Sequence, residues 1–317
     1  MGKVWIIVAV SLIAAGILVF VISLFGANFN FVQLFNGDFQ TNTYTPGEDF
    51  DKIVLDVDTA DIKFVPSTDG KCKVVCYEQS KIKHSVSVND GVLTIKSVDS
   101  RRWYEYIGIN FKTPSVTVYL PESEYASLKI DTHTGDVEIP ASFAFGSIEI
   151  KGSTADVNCK ASSSGLLKVE LSTGDIKLEN VSAGELALRV STGKIEANSI
   201  SCQGAAWIYV TTGDATLNKV TCQSFTSDGD TGDITLKNVV VDDKLSIVRS
   251  TGDVSFENSD ACELSIKVST GDVSGSLRSS KIFDVRTSTG KASYPGSTTG
   301  GLCKITTSTG DVSIVVK

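Results

Sequence analysis

The chain has 317 residues, enough for one large or two ordinary domains. Apolar residues make up 41% and charged residues 21%, which excludes a disordered chain. A net charge of −8 disfavours nucleic-acid binding, and only two histidines, His84 and His133, leave little material for His-rich metal sites or a His general base.

The first element is an apolar run. Val4 to Phe25 contains no charge over 22 residues, against the roughly 20 that a bilayer-crossing helix needs. Lys3 precedes the run and the next basic residue is Lys52, so the positive-inside rule puts the N-terminus in the cytoplasm and the rest outside the cell. Residues 1–27 therefore read as an uncleaved single-pass anchor in the cell membrane. The rival is a cleaved signal peptide, whose apolar core spans about 7–15 residues. Cleavage after Ala27 would leave Phe25 at the −3 position, a poor fit.

Residues 28–50 read as a juxtamembrane linker with turn signals at Asn36-Gly37 and Pro46-Gly47. Its Phe29, Phe31, Leu34 and Phe35 either enter the headgroup region or pack on the first strand of the domain that follows.

Residues 51–133 read as an elaborated first section of a β domain that closes one end of it. Pro66 to Gly70 is a turn between strands, Asn89-Asp90-Gly91 is a hairpin signal, and Val116–Leu120 is a strand. Arg101-Arg102-Trp103-Tyr104-Glu105-Tyr106 is a conspicuous cluster. Arg101, Arg102, Trp103, Tyr104 and Tyr106 have the chemistry to stack on sugars, headgroups or a partner protein. The alternative is a loop folded over the end of the domain.

Residues 134–317 are a repeat. Ser-Thr-Gly-Asp or a near variant recurs at Gly135, Ala155, Gly174, Gly193, Gly213, Gly232, Gly252, Gly271, Gly290 and Gly310, in steps of 19 or 20 residues. An earlier copy centres on Ala60. Thr precedes the Gly or Ala in every copy, and Asp follows it except at Lys194 and Lys291. Positions seven and five before the turn, and two and four after it, are apolar with polar residues between, which predicts short strands with one buried face. One such unit cannot bury its face alone, so neighbours must stack. The predicted fold is all-β: a parallel β-solenoid with 19–20-residue coils behind one N-terminal transmembrane helix. Its last coil, ending at Ser313–Lys317, is expected to lie exposed and to invite a capping partner or end-to-end self-association.

The repeated Ser-Thr-Gly-Asp-Val/Ile coils and the Thr117-Val-Tyr-Leu-Pro121 strand resemble the bacterial "putative adhesin" β-solenoid family. This is a domain of unknown function also seen in LiaG-like cell-envelope proteins. The resemblance covers roughly residues 50–317 and implies an envelope setting, with no catalytic residues to carry over.

In the turns, Gly supplies a backbone conformation costly for other residues, while Asp and Thr accept hydrogen bonds from nearby amides. The alternative for Asp136, Asp175, Asp214, Asp233, Asp253, Asp272 and Asp311 is a cation ladder, in which bound calcium would relieve repulsion between stacked carboxylates. No cofactor is otherwise expected. Cys72 and Cys76 cannot bridge each other along one strand, whereas Cys202 and Cys222 fall in adjacent coils where a disulfide is geometrically possible, as are small buried thiols.

These features together predict a non-catalytic binding or adhesion-like scaffold. Its partners are the membrane and then a cell-wall polymer, a host ligand or a membrane protein, with no nucleic acid. An envelope-stress component acting through a membrane partner is the runner-up. A polysaccharide-cleaving β-helix comes third, because the carboxylates occupy a repeating turn instead of one irregular cluster, and His133 in a turn is expected to be solvated.

Overall fold

The computed structural model describes residues 2–26, 38–102 and 112–317. Helix α1 spans Gly2–Gly26. Its Val4–Ser23 stretch is long and apolar enough to cross a membrane, and none of it is buried against the rest of the chain. Ser11 and Ser23 return their hydroxyls to the carbonyls of Ile7 and Val19 at 2.8 and 2.9 Å, so neither carries an unmet polar group into an apolar environment.

The remainder is a parallel β-solenoid. Its first strands are β1 (Phe39–Tyr44), β2 (Lys52–Thr59), β3 (Asp61–Pro66), β4 (Lys73–Gln79), β5 (Ile82–Asn89), β6 (Val92–Asp99) and β7 (Ser115–Leu120). The coil formed by β2 and β3 is not the end of the rod. β6 pairs parallel to the outer edge of β2, and β7 to the outer edge of β3. Antiparallel strands then cover those edges: β5 lies on β6, β4 on β7, and β1 on β4. The β5–β6 connection is the expected tight hairpin, with Asp90 and Gly91 both at positive φ (50° and 74°). Such a cap removes the open parallel edges at this end.

Regular coils follow. β8 (Glu124–Thr134), β10 (Ala144–Thr154), β12 (Ser162–Thr173), the second half of β13 (Ile176–Thr192), β15 (Ala205–Thr212), β17 (Ser224–Thr231), β19 (Val240–Thr251) and the second half of β20 (Val254–Thr270) make one continuous ladder. After the turn, β9 (Val137–Ile139), β11 (Val157–Cys159), the first half of β13, β14 (Ile195–Cys202), β16 (Ala215–Cys222), β18 (Ile234–Lys237), the first half of β20 and β21 (Val273–Leu277) make the second. The in-register stacks Ile150, Val169, Leu188, Ile208 and Val157, Ile176, Ile195, Ala215 are buried, and they form the core that the alternation predicted.

A second corner, in five successive coils, has no counterpart among the expected turns. Asn180, Ser199, Lys219, Asn238 and Asn258 sit at φ of 50–56°, six residues after successive turn glycines. Asn tolerates this left-handed geometry, and Asn258 also donates from Nδ2 to Asn238 Oδ1 at 2.8 Å, tying two coils together at the corner.

The far end corrects the expected coil order. β24 (Gly301–Thr309) inserts between β20 and β22 (Lys281–Thr289), and β25 (Val312–Val316) inserts between β21 and β23 (Ala292–Ser293). The last coil in sequence is thus interior, and residues 281–293 form the exposed end. The physical reason lies in the two candidate strands after the turn. β25 offers Val312 and Ile314, both buried, while the matching positions of the end coil hold only Ala292 and Tyr294, both exposed. Phe283 and Val285 of β22 are correspondingly half-buried, lacking a coil above them. A buried ion pair, Lys281 Nζ to Asp260 Oδ1 at 2.7 Å, fastens the end coil back to β20.

Candidate functional site

The turns stack in register, with the threonines forming an exposed column through Thr134, Thr154, Thr173, Thr192 and Thr212. Each turn Gly N–H donates to the Thr carbonyl of the following coil, as Gly232 does to Thr251 at 2.9 Å. The residue after the Asp donates to the carbonyl of the following coil's Asp, as Ala215 does to Asp233. The Asp N–H points the other way, and the carboxylate of the preceding coil meets it. Asp136 donates to Asp61 Oδ1, Asp156 to Asp136, Asp175 to Asp156, Asp233 to Asp214, Asp253 to Asp233, Asp272 to Asp253, and Asp311 to Asp272, at 2.7–3.0 Å.

All seven aspartates therefore lie in one column of two ladder runs, which Asp61 and Asp156 of the Ala-containing turns join. The side chain supplies an acceptor that the backbone ladder lacks at that corner. Lys291 N–H takes the last carboxylate, Asp311 Oδ1, at 2.7 Å. Because its coil is the end of the rod, no amide beyond Lys291 requires a carboxylate. Lys194 accounts for the other exception differently: it takes Asp175 Oδ1 at 2.8 Å but offers nothing to Asp214, where the ladder restarts. Nothing in the surroundings explains why this coil lacks the acid.

Gly232 shows why the turn excludes side chains. Its φ is +125°, and a Cβ there would stand 2.0 Å from the Gly213 carbonyl oxygen. Ala60 and Ala155 do not share the positive φ, so these turns carry alanine without that strain.

A shallow cleft of about 600 Å³ runs along the first part of the ladder, lined by Asp61, Asp136, Asp156 and Asp175 with Lys63 and Lys177 at its sides. Lys63 Nζ pairs with Glu138 Oε2 at 2.8 Å, a half-exposed contact that places positive charge next to the acids. The candidate aromatic cluster falls mostly outside the described residues: Trp103, Tyr104 and Tyr106 do, as do Phe29, Phe31, Leu34 and Phe35. Arg101 is placed, held to Asp99 through Nη2–Oδ2 at 2.6 Å, and Arg102 follows it on the surface.

A different aromatic group stands on the open face of the rod. On β15, Ala206, Ile208 and Val210 point inward and are buried, so Trp207 and Tyr209 point outward. Their rings are stacked with centroids 6.3 Å apart, and the guanidinium of Arg189 on the neighbouring strand lies 4.4 Å from the Tyr209 centroid. The signal was present in the same alternation that predicted the strand, which assigns odd positions of β15 to the outer surface.

Apart from a buried cluster in the N-terminal cap, the remaining reactive groups are dispersed. His133 is exposed and has Asp58 Oδ1 at 3.5 Å. Asp69, Glu149 and Glu179 are held below the usual carboxylate range, chiefly by hydrogen bonds from Ser67, Lys151 and Lys160 respectively, which is the wrong direction for a proton donor. Cys202 and Cys222 stand one coil apart as buried free thiols, and burial pushes Cys222 up to about 12.

Residues 50–214 and 207–317 match the model of the Toastrack DUF4097 family. The chain belongs to this family. The Toastrack architecture accounts for the paired matches, since the repeating coils fill both. No curated protein matches the chain. Among solved structures, a "putative adhesin" from Bacteroides fragilis is 15% identical with a TM-score of 0.42, covering 88% of this chain and 97% of its own. A "putative adhesin" from Parabacteroides merdae is 17% identical with a TM-score of 0.39, covering 89% and 98%. A "putative lipid binding protein" from Parabacteroides distasonis is 14% identical with a TM-score of 0.43, covering 88% and 98%.

Proposed function

We propose that this Toastrack protein is a non-catalytic binding rod, anchored by α1 in the cell membrane with its N-terminus in the cytoplasm and its solenoid outside, and that it engages a polymer of the cell envelope. The observation that carries this reading is the outward Trp207–Tyr209 pair with Arg189 stacked beside it. A flat aromatic surface flanked by a guanidinium suits the apolar faces and hydroxyls of sugar rings. It sits on a rigid strand in a continuous sheet, so it needs no ordering on binding. The charge pattern around α1, with Lys3 before the span and no basic residue until Lys52, supports the orientation.

The test is co-sedimentation of the detergent-solubilised full chain with isolated cell walls, with and without calcium. Saturable binding that falls at least tenfold in Trp207→Ala is the expected result. Binding that is absent, or unchanged in Trp207→Ala, overturns the assignment of this face. Loss of binding in chelator alone moves the contact to the Asp ladder.

A further inference from the structure

The cap at the N-terminal end of the rod encloses a polar cluster that the binding face does not use. The inward alternation of β4 runs Val74, Cys76, Glu78, ending in a carboxylate with no exposed surface where an apolar residue belongs. β5 lays His84 against it. His84 Nδ1 is 2.7 Å from Glu78 Oε2, and the His84 backbone N–H donates to the same oxygen at 2.6 Å. Asn42 of β1 donates from Nδ2 to Glu78 Oε1 at 2.5 Å, and the Tyr44 hydroxyl donates to the His84 carbonyl at 2.8 Å.

Two features of the cluster are unmet. The His84 side chain is 2% exposed, yet its Nε2 has no hydrogen-bond partner. Among the described residues His84 is the one ion-pair partner of Glu78, which no Lys or Arg pairs with. A buried polar nitrogen without a partner is costly, and so is a buried carboxylate without a compensating cation. Donor atoms of Cys76, Glu78 and His84 all lie within 4.8 Å of one another. His84 Nδ1 and Glu78 Oε2, 2.7 Å apart, are close enough to share one ion with the Cys76 sulfur.

We propose that Cys76, Glu78 and His84 bind one divalent ion of the zinc class. A thiolate, an imidazole and a carboxylate together suit a borderline ion such as Zn²⁺ or Co²⁺ over the hard, oxygen-seeking Ca²⁺ or Mg²⁺. The Cys76 thiol gives up its proton when a cation takes the sulfur. Binding forms a sulfur–metal bond and releases that proton to solvent, with no electron transferred. The ion would fasten β4 to β5, the two antiparallel strands that close this end of the rod.

The experiment titrates the chelator-stripped full chain in detergent with Co²⁺ alone. The expected result is a thiolate-to-cobalt charge-transfer band in the near ultraviolet, saturating at one equivalent and bleached by Zn²⁺, with a rise in melting temperature. Cys76→Ala and His84→Gln should abolish the band, and Cys303→Ala, a distant buried thiol, should keep it. Circular dichroism of each metal-free variant reports its β-fold. If His84→Gln does not fold, the wild-type band and its loss in Cys76→Ala decide the matter. Absence of the band in the wild type, or its persistence in Cys76→Ala, overturns the site and leaves the cluster a hydrogen-bonded core.

Discussion

Asp253 offers the sharpest test of what the turn ladder does. Its Oδ1 accepts the Asp272 N–H at 2.8 Å, and its own N–H donates to Asp233 at 2.8 Å. Asp253→Ala removes one charge-assisted acceptor, worth about 1.5–3 kcal/mol when well protected and about 1–1.5 kcal/mol at an exposed turn where water substitutes. It also removes repulsion with two neighbouring carboxylates. At a strand spacing of about 4.8 Å each such pair costs roughly 0.9 kcal/mol in water, and screening at physiological salt reduces this to about 0.5 kcal/mol. The two effects nearly cancel, so Asp253→Ala should destabilise by no more than about 0.5 kcal/mol. Asp253→Asn keeps an acceptor oxygen and loses the charge, so it should be more stable than Asp253→Ala by about 1 kcal/mol, a difference of roughly 2–4 °C in melting temperature. The assay is thermal melting of the full chain in detergent at low and high salt, with calcium or with chelator. On the hydrogen-bond account Asn outperforms Ala in every buffer, its advantage over wild type fades at high salt, and calcium changes nothing. If calcium stabilises the wild type and both variants lose that gain equally, the ladder is a cation site and the reasoning fails.

Gly232→Ala should cost about 1–3 kcal/mol from backbone strain alone, plus the displacement needed to clear the Gly213 carbonyl, whereas Gly296→Ala, with open space around it, should stay within about 0.5 kcal/mol of wild type in denaturant melts. Coil order predicts that Ile305→Ala costs about 2–5 kcal/mol as a fully buried residue and that half-buried Val285→Ala costs under about 1.5 kcal/mol; the reverse ranking would put the C-terminal coil at the end of the rod. Of the seven thiols, only exposed Cys262 should react with a colorimetric disulfide reagent in the native state, the other six following only on unfolding; a second fast thiol would contradict the packing. Glu149 is held below the usual carboxylate range chiefly by Lys151, so its contribution is present above the ordinary carboxylate value and is lost as pH falls through the depressed one; Glu149→Gln should flatten the acid limb of a stability–pH profile, and an unchanged limb would show the pair contributes nothing.

The coil, its turn and its buried face were legible in the sequence because they repeat with one period and one alternation. Coil order was not, since the turns at Gly290 and Gly310 share Ser-Thr-Gly and the same period, and stacking leaves no trace in spacing. Two local signs existed: Lys291 where the ladder needs no further acid, and Ala292 with Tyr294 where an interior strand needs apolar residues. The left-handed corner escaped because Ser199 and Lys219 interrupt the column of asparagines. Cys76, Glu78 and His84 escaped because an inward carboxylate reads as the fraying end of a strand, and only the β4–β5 hairpin sets His84 upon it. Ser227, five residues before Gly232, breaks the apolar row. It is the partner of buried Arg249, whose Nη2 donates to its hydroxyl at 3.1 Å in space left by Gly229.

The C-terminal strands enter the solenoid one level in from its tip: β24 lies under β22, and β25 lies under β23. Pulling on β25 cannot peel the outermost coil like the last turn of a spring. It must shear a strand held along both edges, breaking two ladders at once. The order of synthesis also departs from the order of stacking. The coil of residues 281–293 leaves the ribosome before the strand that separates it from β20, so this end of the rod locks shut only when residues 301–316 arrive.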